Sequence, residues 1–155
     1  MNERLEDAVE RVVRIAARPE IVYSYFVDEA RMLEWKGVDA TLDPRPGGVY
    51  RVNVTGRDIV RGEYVALEPY RRIVFTWGWE GEGQPLPPGS STVEVTLTPD
   101  GDGTVLRLRH IGLAEALRSA HAEGWDHYLE RLVVRAGGND PGVDPWTAPH
   151  PAAPG

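Results

Sequence analysis

Cysteine is absent from the 155 residues, which excludes a disulfide framework, a thiolate metal site and a cysteine nucleophile and leaves packing alone to hold the fold. No apolar run approaches the length that a membrane span requires. The opening Met1-Asn2-Glu3-Arg4-Leu5-Glu6-Asp7 is charged and unlike a signal peptide, so a cytoplasmic location is the expectation. Positive charge is scarce as well, with 17 basic against 24 acidic residues, a net charge of −7 and no basic cluster. Such a surface repels phosphate backbones and anionic lipids, and it argues against nucleic acid as a partner.

Catalytic signatures are equally sparse. There is no Gly-x-Ser-x-Gly elbow, phosphate loop or dinucleotide fingerprint; Gly47-Gly48 follows prolines and precedes a strand, where turn chemistry accounts for it. His121 and His127 lie six apart, about 600° around a helix, and cannot clamp one metal as an i,i+4 pair would. Glu123 and His127 read as a solvated helix pair. No catalytic residue, metal site or cofactor is therefore assigned.

What is present is enough apolar residue, 41%, for one globular domain. Ala8 to Ala17 alternates loosely as a half-buried strand, with Val9, Val13 and Ile15 on one side. Pro19 then suits a helix first turn, and Val22, Tyr25 and Phe26 follow at helical spacing. Asp28 to Trp35 predicts another turn or two of helix, ended by Lys36-Gly37. After the turn at residues 43–48 the period switches to two, predicting strands at 49–55, 59–68, 72–79, 92–98 and 104–111 joined by short connectors. The longer Gly- and Pro-rich connector from Glu80 to Ser91 is expected to be an exposed loop at one end of the sheet, over a pocket mouth.

Leu113 to Ala136 carries an apolar stripe of Leu113, Leu117, Trp125, Tyr128, Leu129 and Leu132, predicting an amphipathic helix of about six turns. Gly124 inside it costs about 1 kcal/mol relative to Ala, which close packing against the sheet would offset. Gly137-Gly138 ends the helix, so the domain is placed at residues 1–138. Asn139 to Gly155, rich in proline and small residues, is expected to stay without ordered structure. Strand, short helices, meander, long helix is an α+β order, with a curved antiparallel sheet wrapped around a long C-terminal helix and a cavity between them.

The run Asp43-Pro44-Arg45-Pro46-Gly47-Gly48-Val49-Tyr50, the stretch from Gly62 to Trp77, and His110 followed by Gly124-Trp125-Asp126-His127-Tyr128-Leu129 together resemble the START-like (SRPBCC) superfamily. Within it, they resemble the bacterial homologues of the C-terminal domain of the heat-shock-chaperone ATPase activator. The resemblance spans residues 8–136 and implies a helix-grip fold with a hydrophobic ligand cavity. Similar cavities in the superfamily serve lipid transfer, hormone sensing, polyketide cyclisation and resistance to reactive natural products. The family often carries a Trp-Trp pair after the first helices, whereas here Trp35 is followed by Lys36.

The expected ligand-binding residues are Trp35, Tyr50, Phe75, Trp77, Trp79, Leu108, His110, Trp125 and Tyr128. Strand parity turns Phe75, Trp77, Trp79, Leu108 and His110 towards the helix. His110 is either a hydrogen-bonded core histidine or a polar handle and acid/base group. Arg61 and Glu63 share parity with Ile59, Val65 and Leu67, giving an inward charge pair or a surface one. Three function classes stay open: a binder of a small apolar or aromatic molecule, a cyclase- or dehydratase-type enzyme using the same cavity, and a chaperone-associated interaction module. A homodimer is compatible with each.

Overall fold

The computed structural model describes residues 8–147. Strand β1 (Ala8–Ile15) leads through Pro19, at the start of α1 (Pro19–Val27), to the single-turn α2 (Glu29–Met32), whose first turn is capped by the Asp28 carboxylate accepting from the Arg31 N–H. Six strands follow: β2 (Asp39–Leu42), β3 (Val49–Asn53), β4 (Ile59–Glu68), β5 (Arg72–Trp77), β6 (Ser91–Asp100) and β7 (Gly103–Ile111). Helix α3 (Glu115–Ala136) closes the order. The strands form one seven-stranded sheet in the order β1-β7-β6-β5-β4-β3-β2, antiparallel throughout. This is the helix-grip architecture expected from the sequence.

Alternation decides which side of each strand the helix sees. Ile73, Phe75 and Trp77, Val93, Val95 and Leu97, and Leu106, Leu108 and His110 are all buried, as their parity predicts. In β4 the inward side chains are Val60 and Tyr64, not the Ile59/Val65 set, and a register shift between Tyr64 and Ala66 marks a bulge. Arg61 and Glu63 are consequently exposed, and Arg61 lies 3.7 Å from Glu80 in a surface ion pair.

Several local expectations are corrected. Asp39–Leu42 is a strand that was not predicted; four residues are too few for alternation to show, and pairing with β3 supplies what the local pattern lacks. The strand expected to run to Trp79 stops at Trp77, because Gly78 meets the next loop: a Cβ there would stand 1.7 Å from the Pro87 carbonyl oxygen. That loop is exposed as expected at residues 81–85 and 87–90, and only Leu86 within it is buried, its carbonyl accepting from the Trp79 N–H at 2.7 Å.

Residues 139–147, expected to lack order, pack on α3 instead. The buried Asp144 carboxylate accepts from the Tyr128 hydroxyl at 2.6 Å, from His127 Nε2 at 2.8 Å and from the Trp146 backbone N–H at 2.9 Å. Trp146 stacks on His127 at 3.8 Å between ring centroids. Asp144, not Glu123, is thus the partner of His127. Burial pushes the Asp144 carboxyl up, but the Tyr128, Trp146 and His127 hydrogen bonds outweigh it and the net shift is downward. Removing Asn139–Gly155 strands the Tyr128 hydroxyl and bares the face under Trp146, so a loss of about 2 kcal/mol, or about 4–8 °C in Tm, is expected in a thermal melt. An unchanged Tm would show that these contacts contribute nothing net. Residues 148–155 lie outside the described residues.

Candidate functional site

Between the β5 end of the sheet and α3 lies a cavity of about 350 Å³. Helix α3 presents His121, Gly124, Trp125 and Tyr128 to it, a 3–4 spacing that puts all four on one face. Trp77 and Trp79 come from β5 and the residues just after it, Val54 from the β3–β4 connection, Ile59 from the start of β4, and Trp146 from the C-terminal segment. The Trp77 ring lies 5.0 Å from that of Trp125 and 5.6 Å, edge-on, from that of Trp79. The buried Trp77 indole N–H has no acceptor among the described residues.

Gly124 leaves this wall open. A Cβ built there meets nothing within 4 Å, so the glycine faces the cavity and does not pack closely against the sheet as expected. Of the residues expected to bind ligand, Trp77, Trp79, Trp125 and Tyr128 line the cavity. Trp35, Tyr50, Phe75, Leu108 and His110 are buried but do not line it. Trp35 packs edge-on against Phe26 and donates its indole N–H to the Tyr25 carbonyl at 3.0 Å, while Phe75 stacks on Tyr50 at 4.1 Å.

His110 sits directly behind the wall with 0% exposure. Its Nδ1 accepts from Trp125 Nε1 at 3.0 Å, which leaves the proton on Nε2 to go to Ser91 Oγ at 2.8 Å; that hydroxyl in turn donates to the Trp77 carbonyl at 2.9 Å. Burial, aided by His121 and Lys36, lowers its pKa to about 2. The ring is therefore neutral, with both nitrogens engaged, and its geometry is that of a core histidine bracing Trp125 and Trp77. His121 holds the opposite tautomer, donating from Nδ1 to the Leu117 carbonyl at 2.8 Å and accepting from Trp79 Nε1 at 3.1 Å; burial lowers its pKa too.

Lys36, absent from the expected site, is the residue that stands out. It is the only lysine in the chain, 2% exposed, and borders the cavity. Its Nζ lies 4.4 Å from the Trp77 ring centroid and 4.7 Å from that of Trp125, and donates a long hydrogen bond of 3.3 Å to the Tyr50 hydroxyl. Burial lowers its pKa from 10.5 to about 7. Two signals in the sequence pointed to it: its solitude among arginines, and its place after Trp35 where the family often has a second tryptophan.

A curved antiparallel sheet closed around one long helix, with an aromatic-walled cavity between them, defines a helix-grip protein of the START-like superfamily. The chain belongs to the family described as activator of Hsp90 ATPase homolog 1-like protein, whose model matches residues 16–137. No protein of curated function matches it significantly. Among solved structures, an AHSA1-like protein from Rhizobium etli is 44% identical over 92% of this chain and 89% of its own, with a TM-score of 0.71. CalU16 from Micromonospora echinospora is 28% identical over 94% of this chain and 77% of its own, at 0.70. The Aha1 protein of Colwellia psychrerythraea, solved as a dimer, is 17% identical over 85% and 98%, at 0.72, a likeness of fold alone. No helix among the described residues is long and apolar enough to cross a membrane.

Proposed function

We propose that this protein binds a small apolar or aromatic molecule in the cavity between sheet and α3. The observation that carries the reading is the cavity itself: its volume of about 350 Å³ falls within the roughly 300–1,000 Å³ of small-molecule sites, and it joins an aromatic wall of Trp77, Trp79, Trp125, Tyr128 and Trp146 to the polar side chains of Lys36, Thr55, Asp58, Glu80, Gln84 and His121. His110 is not available as a general acid or base, since both ring nitrogens are bonded and its pKa lies far below neutrality. That removes the group on which the cyclase or dehydratase reading rested.

The test uses the glycine in the wall. Gly124→Leu adds a side chain whose Cβ meets nothing within 4 Å and which points into the cavity, and it gains about 0.8 kcal/mol of helix propensity, so its Tm is expected to hold or rise. Binding of aromatic probes, read by tryptophan fluorescence and thermal shift, is expected to weaken at least tenfold in the variant. Equal affinity in both proteins, or no ligand for the wild type in a lipid and aromatic library, would remove the cavity as the binding site.

A further inference from the structure

Every cation of the described surface is an arginine, and the single lysine is buried beside the cavity. The two side chains differ in one property that matters here: a guanidinium keeps its proton, whereas a lysine amine released from its proton is a nucleophile. The acidic side chains at the cavity are engaged elsewhere. Glu80 accepts from Arg51 at 2.7 Å and lies 3.7 Å from Arg61, and Asp58 accepts from the Thr55 hydroxyl at 2.7 Å. The other titratable neighbours, Tyr50, His110, His121 and Tyr128, are two phenols held in the protonated form by burial and two imidazoles held neutral. Among the described residues no carboxylate therefore pairs with Lys36 Nζ, which is held between the rings of Trp77 and Trp125 with Tyr50 as its one hydrogen-bond partner.

Resting on the reading that the cavity takes a small apolar molecule, we infer that Lys36 captures the aldehyde or ketone group of such a ligand as a reversible imine. The Nζ lone pair attacks the carbonyl carbon, a C–N bond forms and the π pair moves to oxygen. A proton passes from nitrogen to that oxygen to give the carbinolamine. The nitrogen lone pair then expels the hydroxyl, which leaves as water with a proton, while nitrogen gives up its remaining one. Amine and carbonyl become imine and water with no oxidant or reductant. The Tyr50 hydroxyl, 3.3 Å from the nitrogen, is the group placed to relay the proton. Burial keeps the amine's pKa near 7, so a large fraction is neutral and reactive at physiological pH, where an exposed lysine is almost wholly protonated.

The full chain is incubated with 3-phenylpropanal and cyanoborohydride, which reduces an imine to a stable amine, and analysed by intact and peptide mass. The expected product carries one aldehyde less one oxygen atom on the peptide containing Lys36, and an excess of 3-phenylpropanol suppresses it. Lys36→Met is expected to lose the adduct while keeping the wild-type circular dichroism and a Tm no lower than that of the wild type. An adduct confined to the N-terminal amine, or none, while the alcohol binds, overturns the imine and leaves the cavity reading standing. Tighter binding of 3-phenylpropanoate than of the alcohol, again without adduct, overturns it in favour of an ion pair. No fluorescence response to any of the three compounds, together with no adduct, defeats both.

Discussion

Lys36→Met is expected to stabilise the folded protein at pH 7 by about 2–4 kcal/mol, and the gain is expected to fade towards zero by pH 10. A fall in the amine's pKa from 10.5 to about 7 corresponds to about 4–5 kcal/mol of interaction that disfavours the charged form in the fold. Met fills a similar volume without a charge to desolvate, but it forfeits the hydrogen bond to Tyr50, which offsets about 1 kcal/mol. The sign follows from proton counting. Between about pH 7 and 10.5 the unfolded chain holds a proton on this amine that the folded chain has largely released, so wild-type stability rises with pH across that window. The variant has no such slope. Denaturant titrations of both proteins at pH 7 and pH 10 measure the difference, and a gain equal at the two values would show that the amine does not titrate with folding.

The second large effect is a crossing of two pH–stability curves when His110 becomes Phe. At pH 7 the variant is expected to be less stable by about 1–3 kcal/mol, because the buried Trp125 N–H loses its acceptor while Ser91 keeps the Trp77 carbonyl. In acid the order reverses. The folded histidine stays neutral down to about pH 2, whereas the unfolded one takes up a proton near pH 6.5, so the wild type loses about 1.4 kcal/mol per pH unit below that point. By pH 4 that loss reaches about 3 kcal/mol, and Phe, having no proton to gain, escapes it. Carboxylates titrate in both proteins and cancel in the comparison. Parallel curves would mean that the imidazole titrates alike in the folded and unfolded chains, contrary to its burial between Ser91 and Trp125.

The two predictions separate what Trp77 and its neighbours do. Trp77 touches the cavity on one side, and on the other its carbonyl is bound through Ser91 to His110, so the rings at the cavity wall are held by a buried polar relay. A wall braced in this way is preorganised, and a ligand entering it orders few side chains.

By itself the sequence determined the fold class, the order of the elements apart from β2, and the inward faces of β5, β6 and β7, because these rest on periodicity: period two for those strands, three to four for α1 and α3, with Pro19 opening α1 and Gly137 closing α3. Of the nine residues it offered for the cavity, Trp77, Trp79, Trp125 and Tyr128 border it, the first two through the period-two alternation of β5 and the last two through the apolar stripe of α3. Tertiary structure decided the rest. Which aromatics border space and which are sealed behind them depends on side-chain contacts between elements that no local pattern encodes: Tyr50 stacks on Phe75 and His110 is bonded between Ser91 and Trp125, and so all three became core. Strand β2 exists because β3 offers it an edge, and the β4 parity was set by a bulge. Asp144 and Trp146 dock only because α3 presents Tyr128 and His127 together, which turned a proline-rich end into a wall of the site. Lys36 was visible as an oddity in the chain; its meaning came from the four rings and the cavity that folding gathered around it.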